Sequence, residues 1–113
     1  MMRHLKIYPA EGTWVVRANG AVIGESNAAL ELIQRDYPFV IYFPREDIAA
    51  AVLEPSDRTL ICDDRGAGEF YHISSPEGLL QNAAYSLTAP SEAAAQVQGY
   101  LAFDAGKVTV ERV

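Results

Sequence analysis

An Asn-Gly pair at positions 19 and 20 separates two short apolar runs, residues 14–18 and 21–23, and constrains this chain more than any other feature. A two-residue type I′ turn needs positive φ at both central residues, which Asn and Gly adopt at little cost. The segment therefore predicts a tight β-hairpin. The same punctuation recurs along the chain. Residues 5–8 read as a strand that stops at Pro9, and residues 40–43 as one bounded by Pro38 and Pro44. Residues 59–62 and 69–73 read as two strands joined by a loop rich in Asp and Gly, and residues 79–87 as another. Residues 100–103 and 107–110 are expected to form a last hairpin across Asp104, Ala105 and Gly106. Short helical pieces or turns are expected at residues 45–53, which follow Pro44 and open with acids, and at residues 91–96 with Ser91 as N-cap.

Residues 26–36 fit two periods. As a helix capped by Ser26, they would place Ala29, Leu30 and Ile33 on one face. As a strand, Ala28, Leu30 and Leu32 would alternate with polar neighbours, while propensity leans towards helix. Either way the count is seven to nine short strands. Crossover helices of about a dozen residues, which parallel sheets require, have no room. The expected fold is one mostly β domain over residues 1–113, an antiparallel tent- or sandwich-like packing with one or two short helices.

Charge narrows the partners. The formal net charge is −6, and no two Lys or Arg residues are adjacent. Such a field repels phosphate backbones, so nucleic acid is not an expected partner. Cys62 is the sole cysteine, which precludes an internal disulfide and a zinc site built on several thiolates. No apolar run approaches the roughly 20 residues that span a bilayer, and the N-terminal residues lack a signal-peptide pattern. A cytoplasmic protein, monomeric or weakly dimeric, without metal or cofactor, is the expectation.

Six consecutive residues, Tyr42, Phe43, Pro44, Arg45, Glu46 and Asp47, resemble a motif of the bacterial proteins known as domain of unknown function 427. Gly20, Gly24 and Ser26 agree with that family, as do residues 53–57, Thr59 with Cys62, Gly66 with Tyr71, residues 82–85 and residues 99–103. The chain departs from it after Cys62, where Asp63-Asp64-Arg65-Gly66 stands in place of a Pro and an aromatic before Lys-Gly, and at Asp104, where Tyr is usual. The resemblance implies a β-tent-like domain similar to that of methionine sulfoxide reductase B, and it favours the strand for residues 26–36. A nucleotidyltransferase label sometimes accompanies the family. That chemistry needs a Gly-Ser pair and spaced metal-holding aspartates, whereas Asp63 and Asp64 are adjacent and in a strand would face opposite ways.

Among polar residues, Arg45 could act as an anion fork with Arg58 and Arg65 nearby, and Tyr42 or Tyr71 as a wall. Glu46 or Asp47 could then transfer protons. The structural alternative makes Glu46 and Asp47 charges at the start of a helix, with Arg45 their ion-pair partner. Cys62 is either a nucleophile, aided by Arg65 and opposed by Asp63 and Asp64, or a small buried hydrophobe. His4 and His72, with no close partner, fit surface or structural roles. Three functions follow: a module binding a small anionic molecule, a small enzyme using Glu46, Asp47 or Cys62, and a protein-interaction module.

Overall fold

The computed structural model describes residues 5–113. In chain order its strands are β1 (Leu5–Pro9), β2 (Trp14–Ala18), β3 (Ala21–Ser26), β4 (Leu30–Gln34), β5 (Val40–Tyr42), β6 (Leu53–Cys62), β7 (Gly66–Ser75), β8 (Gly78–Pro90), β9 (Leu101–Phe103) and β10 (Thr109–Arg112). They pair antiparallel in three sheets, ordered β1-β4-β5, β10-β2-β3 and β6-β7-β8-β9. Three short 3-10 turns cover Arg45–Asp47, Ala50–Val52 and Glu92–Val97. The mostly β, antiparallel architecture expected from the turn spacing is the one that forms.

The Asn19–Gly20 turn forms as predicted, with φ of 49° and 86°, and Ala18 faces Ala21 across it. Residues 30–34 are a strand. Tertiary pairing with both β1 and β5 overrides the helix propensity of that stretch. Leu32 and Gln34 point inward and Ile33 outward, the alternation of period two.

Three expectations need correction. Residues 100–103 and 107–110 do not pair with each other. β9 adds to β8, whereas β10 adds to β2 in another sheet, because Leu101 and Phe103 bury against β8 and Val108 folds back into the core. The hydroxyl of Ser91 does not cap the turn that follows; it donates to the Asp64 carbonyl at 2.9 Å. The loop between β6 and β7 is shorter than its glycines suggest, since Cys62 already faces Gly66 and both Gly66 and Gly68 belong to β7.

The interior divides into two apolar clusters. Val16, Ile23, Ile41, Phe43, Tyr71, Ile73 and Phe103 lie in one, and Leu32, Tyr42, Leu87, Val97 and Ala102 in the other. Tyr42 and Phe43 are consecutive and both have no exposed surface, so the last residue of β5 and the one after it supply one large side chain to each cluster.

Candidate functional site

The end of β5 leads straight into the motif residues 42–47. Pro44, at φ −54°, turns the chain out of the strand, and Arg45–Asp47 coils into a single 3-10 turn closed by the Asp47 amide on the Pro44 carbonyl at 3.0 Å. β3 anchors that turn. The buried Ser26 hydroxyl donates to Asp47 Oδ2 at 2.6 Å and accepts the Ala28 amide at 2.9 Å. Gly24 approaches so closely that a Cβ there would lie 2.3 Å from Ile48 Cδ1 and 3.0 Å from the Asp47 carbonyl oxygen. The spacing of Gly24 and Ser26 is therefore the counterpart of Asp47: one lets the turn approach and the other holds it.

The turn presents Arg45 to solvent. One amino group of its guanidinium donates to the Tyr71 hydroxyl at 2.8 Å, and its central carbon lies 5.1 Å from the Tyr71 ring centroid. The Tyr71 hydroxyl in turn donates to Glu69 Oε1 at 2.9 Å. No carboxylate among the described residues forms an ion pair with Arg45. The anticipated pairing of Arg45 with Glu46 or Asp47 is thus absent. Asp47 is engaged by Ser26, and the Glu46 side chain is exposed. Ser86 faces Glu69 directly across the β7–β8 ladder and so shares the Glu69 and Tyr71 face of the sheet. Its Oγ is fully buried and has no hydrogen-bond partner among the described residues. Buried hydroxyls are nearly always satisfied, which marks this one as unusual.

Tyr42 and Arg65 form a second polar group in the other cluster. Arg65 Nε donates to Gln34 Oε1 at 3.1 Å, and Gln34 Nε2 donates to Asp64 Oδ2 at 2.9 Å. Arg65 NH1 reaches the Tyr42 and Tyr85 hydroxyls only at 3.5 and 3.4 Å. Burial opposes the charge of Arg65, but the two phenols and the neighbouring Cys62 more than offset it, leaving the guanidinium pKa raised. Burial and then the Tyr85 phenol push the Tyr42 pKa well above the usual tyrosine value, against the opposing pull of Arg65.

That shift carries a sign. The folded state holds the Tyr42 proton more tightly than the unfolded chain, whose phenol titrates near 10. Folding stability is therefore unaffected below that pH and falls as pH rises above it. Urea titrations from pH 9 to 11.5 should show this decline in wild type and a shallower one in Tyr42→Phe. Equal slopes would mean that Tyr42 ionises in the folded protein as readily as in the unfolded chain.

The remaining candidates scatter. Arg58 lies over the Phe70 ring at 5.0 Å, and Phe70 meets Tyr85 edge-on. Successive residues Phe70 and Tyr71 face opposite sides of β7, so Arg58 does not join Arg45. Cys62 is partly buried at the mouth of the β6–β7 hairpin, close to Arg65. His72 accepts the Asn82 amide on Nδ1 at 2.9 Å, where Asn82 takes φ of 52° at a bulge, which is a structural role. His4 lies outside the described residues. Gln34, Glu69 and Ser86 were not singled out as site residues from the sequence. Of these, Gln34 carries a signal: a polar residue in step with Leu30 and Leu32 on the inward side of a strand.

The fold and these two groups define a small β domain that displays at a turn a fixed cation with no ion-pair partner among the described residues, and keeps a second one half-buried among phenols. The chain belongs to the family described as a domain of unknown function, DUF427, whose match covers residues 6–113. No curated protein matches it. Among the described residues, no three His, Cys, Asp or Glu side chains gather where they could hold a metal ion, and Asp63 and Asp64 sit in a turn. No helix among them is long and apolar enough to cross a membrane.

Proposed function

We propose that this protein is a binding module for a small molecule with an anionic group, anchored on Arg45 and walled by Tyr71. The observation that carries this reading is the state of Arg45. It is exposed and held in one orientation by the Tyr71 hydroxyl, yet no described carboxylate neutralises it in a protein of net charge −6. A guanidinium spends a single donor on that bond and keeps a planar fork for a carboxylate or phosphate. Glu69, by accepting from Tyr71, fixes the phenol so that its lone pair faces Arg45. On this reading the protein is a bacterial cytoplasmic one, a monomer or weak homodimer that needs no cofactor, and its ligand is not a nucleic acid.

A thermal-shift screen of phosphates, sugar phosphates and carboxylates tests it, run on wild type beside Arg45→Ala. A ligand present at about a hundred times its dissociation constant adds about 2.7 kcal/mol, a rise on the order of 10 °C in a domain this small. The rise should occur in wild type and vanish in Arg45→Ala. Equal rises in both proteins, or none in either while both are folded, would defeat the proposal.

A further inference from the structure

Trp14, Phe39, Ile41, Phe103, Ala105 and Val110 contribute to the walls of a cavity of about 280 Å³. It shares no lining residue with the Arg45, Tyr71 and Glu69 group, and the sheet registers explain where it lies. Trp14 pairs with Arg112 and Val16 with Val110 across β2 and β10, which puts Trp14 and Val110 on alternating positions of adjacent strands. Ile41 comes from β5 of the first sheet and Phe103 from β9 of the third. The cavity therefore opens where all three sheets meet.

Its chemistry is predominantly apolar. Every lining residue is of an apolar type and none carries a charge, although polar atoms supply a minority of the wall. The one polar hydrogen of the Trp14 ring is engaged by the Glu11 carbonyl at 3.1 Å, so it is not offered to a ligand. Phe39 meets Trp14 edge-on at 6.5 Å and is 54% exposed, as expected of a side chain at the rim. An engineered apolar cavity of about 150 Å³ stays dry and takes up a benzene ring, so this one is roughly twice that size. A charged group entering it would lose hydration with no charged side chain in the lining to replace it. A peptide strand or helix would need far more room.

We propose that this cavity is a binding site for one compact, uncharged aromatic group, of one or two fused rings. It goes beyond the anion site at Arg45 and stands independently of it. Trp14 is the sole tryptophan, so its fluorescence reports occupancy directly. The probe is 4-iodobenzyl alcohol, whose iodine quenches an indole on contact, with 4-iodobenzoate as the charged counterpart. Wild type should show saturable quenching by the alcohol. Ala105→Phe, which fills the cavity from an exposed turn, should weaken binding at least tenfold, and Arg45→Ala should leave it unchanged. Phe39→Ser, which removes the exposed rim, should weaken it comparably and serves if Ala105→Phe does not fold. Quenching that rises linearly without saturation would overturn the proposal. So would equal affinity in wild type and the folded cavity variants, or binding of the benzoate as tight as that of the alcohol.

Discussion

Replacing Gly68 with alanine should lower the melting temperature far more than the same change at Gly20. A Cβ at that position would lie 1.9 Å from the Ser86 carbonyl oxygen and 2.9 Å from Leu87 Cα, all of it backbone of the neighbouring strand. Backbone cannot swing aside as the end of a side chain can. To make room, β7 and β8 would have to part at the irregular register between Ala67 and Glu69, in the middle of the four-stranded sheet. Overpacking of this kind costs about 3 kcal/mol or more, a large part of a domain's total stability of about 5–15 kcal/mol. Thermal melts of Gly68→Ala and Gly20→Ala, run side by side, isolate the effect. Gly20 has φ of 86° but open space around it. Its replacement should therefore cost only the left-handed backbone penalty, about 1–2 kcal/mol. A Gly68→Ala melt no lower than that of Gly20→Ala would show that the two strands separate easily there.

Phe43→Ala should cost about 3–5 kcal/mol, the usual range for a large aromatic deleted from a core. Phe43 has no exposed surface, packs edge-on against Phe103 with centroids 5.6 Å apart, and exchanges both backbone hydrogen bonds with Leu101. Its removal would leave a void beside the β8–β9 pairing. Arg45→Ala, two residues further on, should cost about 1 kcal/mol or less, because an exposed guanidinium gives up one hydrogen bond. Chemical denaturation of the two variants checks the contrast. If they lose similar stability, Arg45 is a structural residue and the motif exists for packing.

The sequence reading followed the backbone wherever a local signal sufficed. Asn19–Gly20 specified its own turn, and Pro38 and Pro44 framed β5 closely. It failed where pairing is decided at long range. Nothing between Tyr100 and Val110 reveals that β9 and β10 belong to different sheets, since Asp104, Ala105 and Gly106 form an acceptable hairpin turn in isolation. The strand at residues 30–34 carried helix-forming residues, and only its two pairing neighbours settled the matter. The candidate residues could be named one by one from the sequence but could not be grouped. Tyr42 and Tyr71 look interchangeable as strand aromatics. Their partition between two clusters depends on inward and outward phase, which the irregular registers of β7 shift unpredictably. Glu69 was missed because its role exists only through Tyr71, two positions along the same strand.

That Tyr42 and Phe43 anchor different clusters from neighbouring positions has a consequence for how the molecule comes apart. A domain with two separate apolar centres could in principle lose one and keep the other, as modular proteins do. Here the end of a three-residue strand and the residue after it form the shared hinge pin, and neither centre can release its aromatic without pulling the adjacent one. The expected behaviour is all-or-none melting with no half-folded intermediate. On the proposed reading, a molecule held by Arg45, two residues beyond Phe43, would steady both centres at once although it touches only one surface.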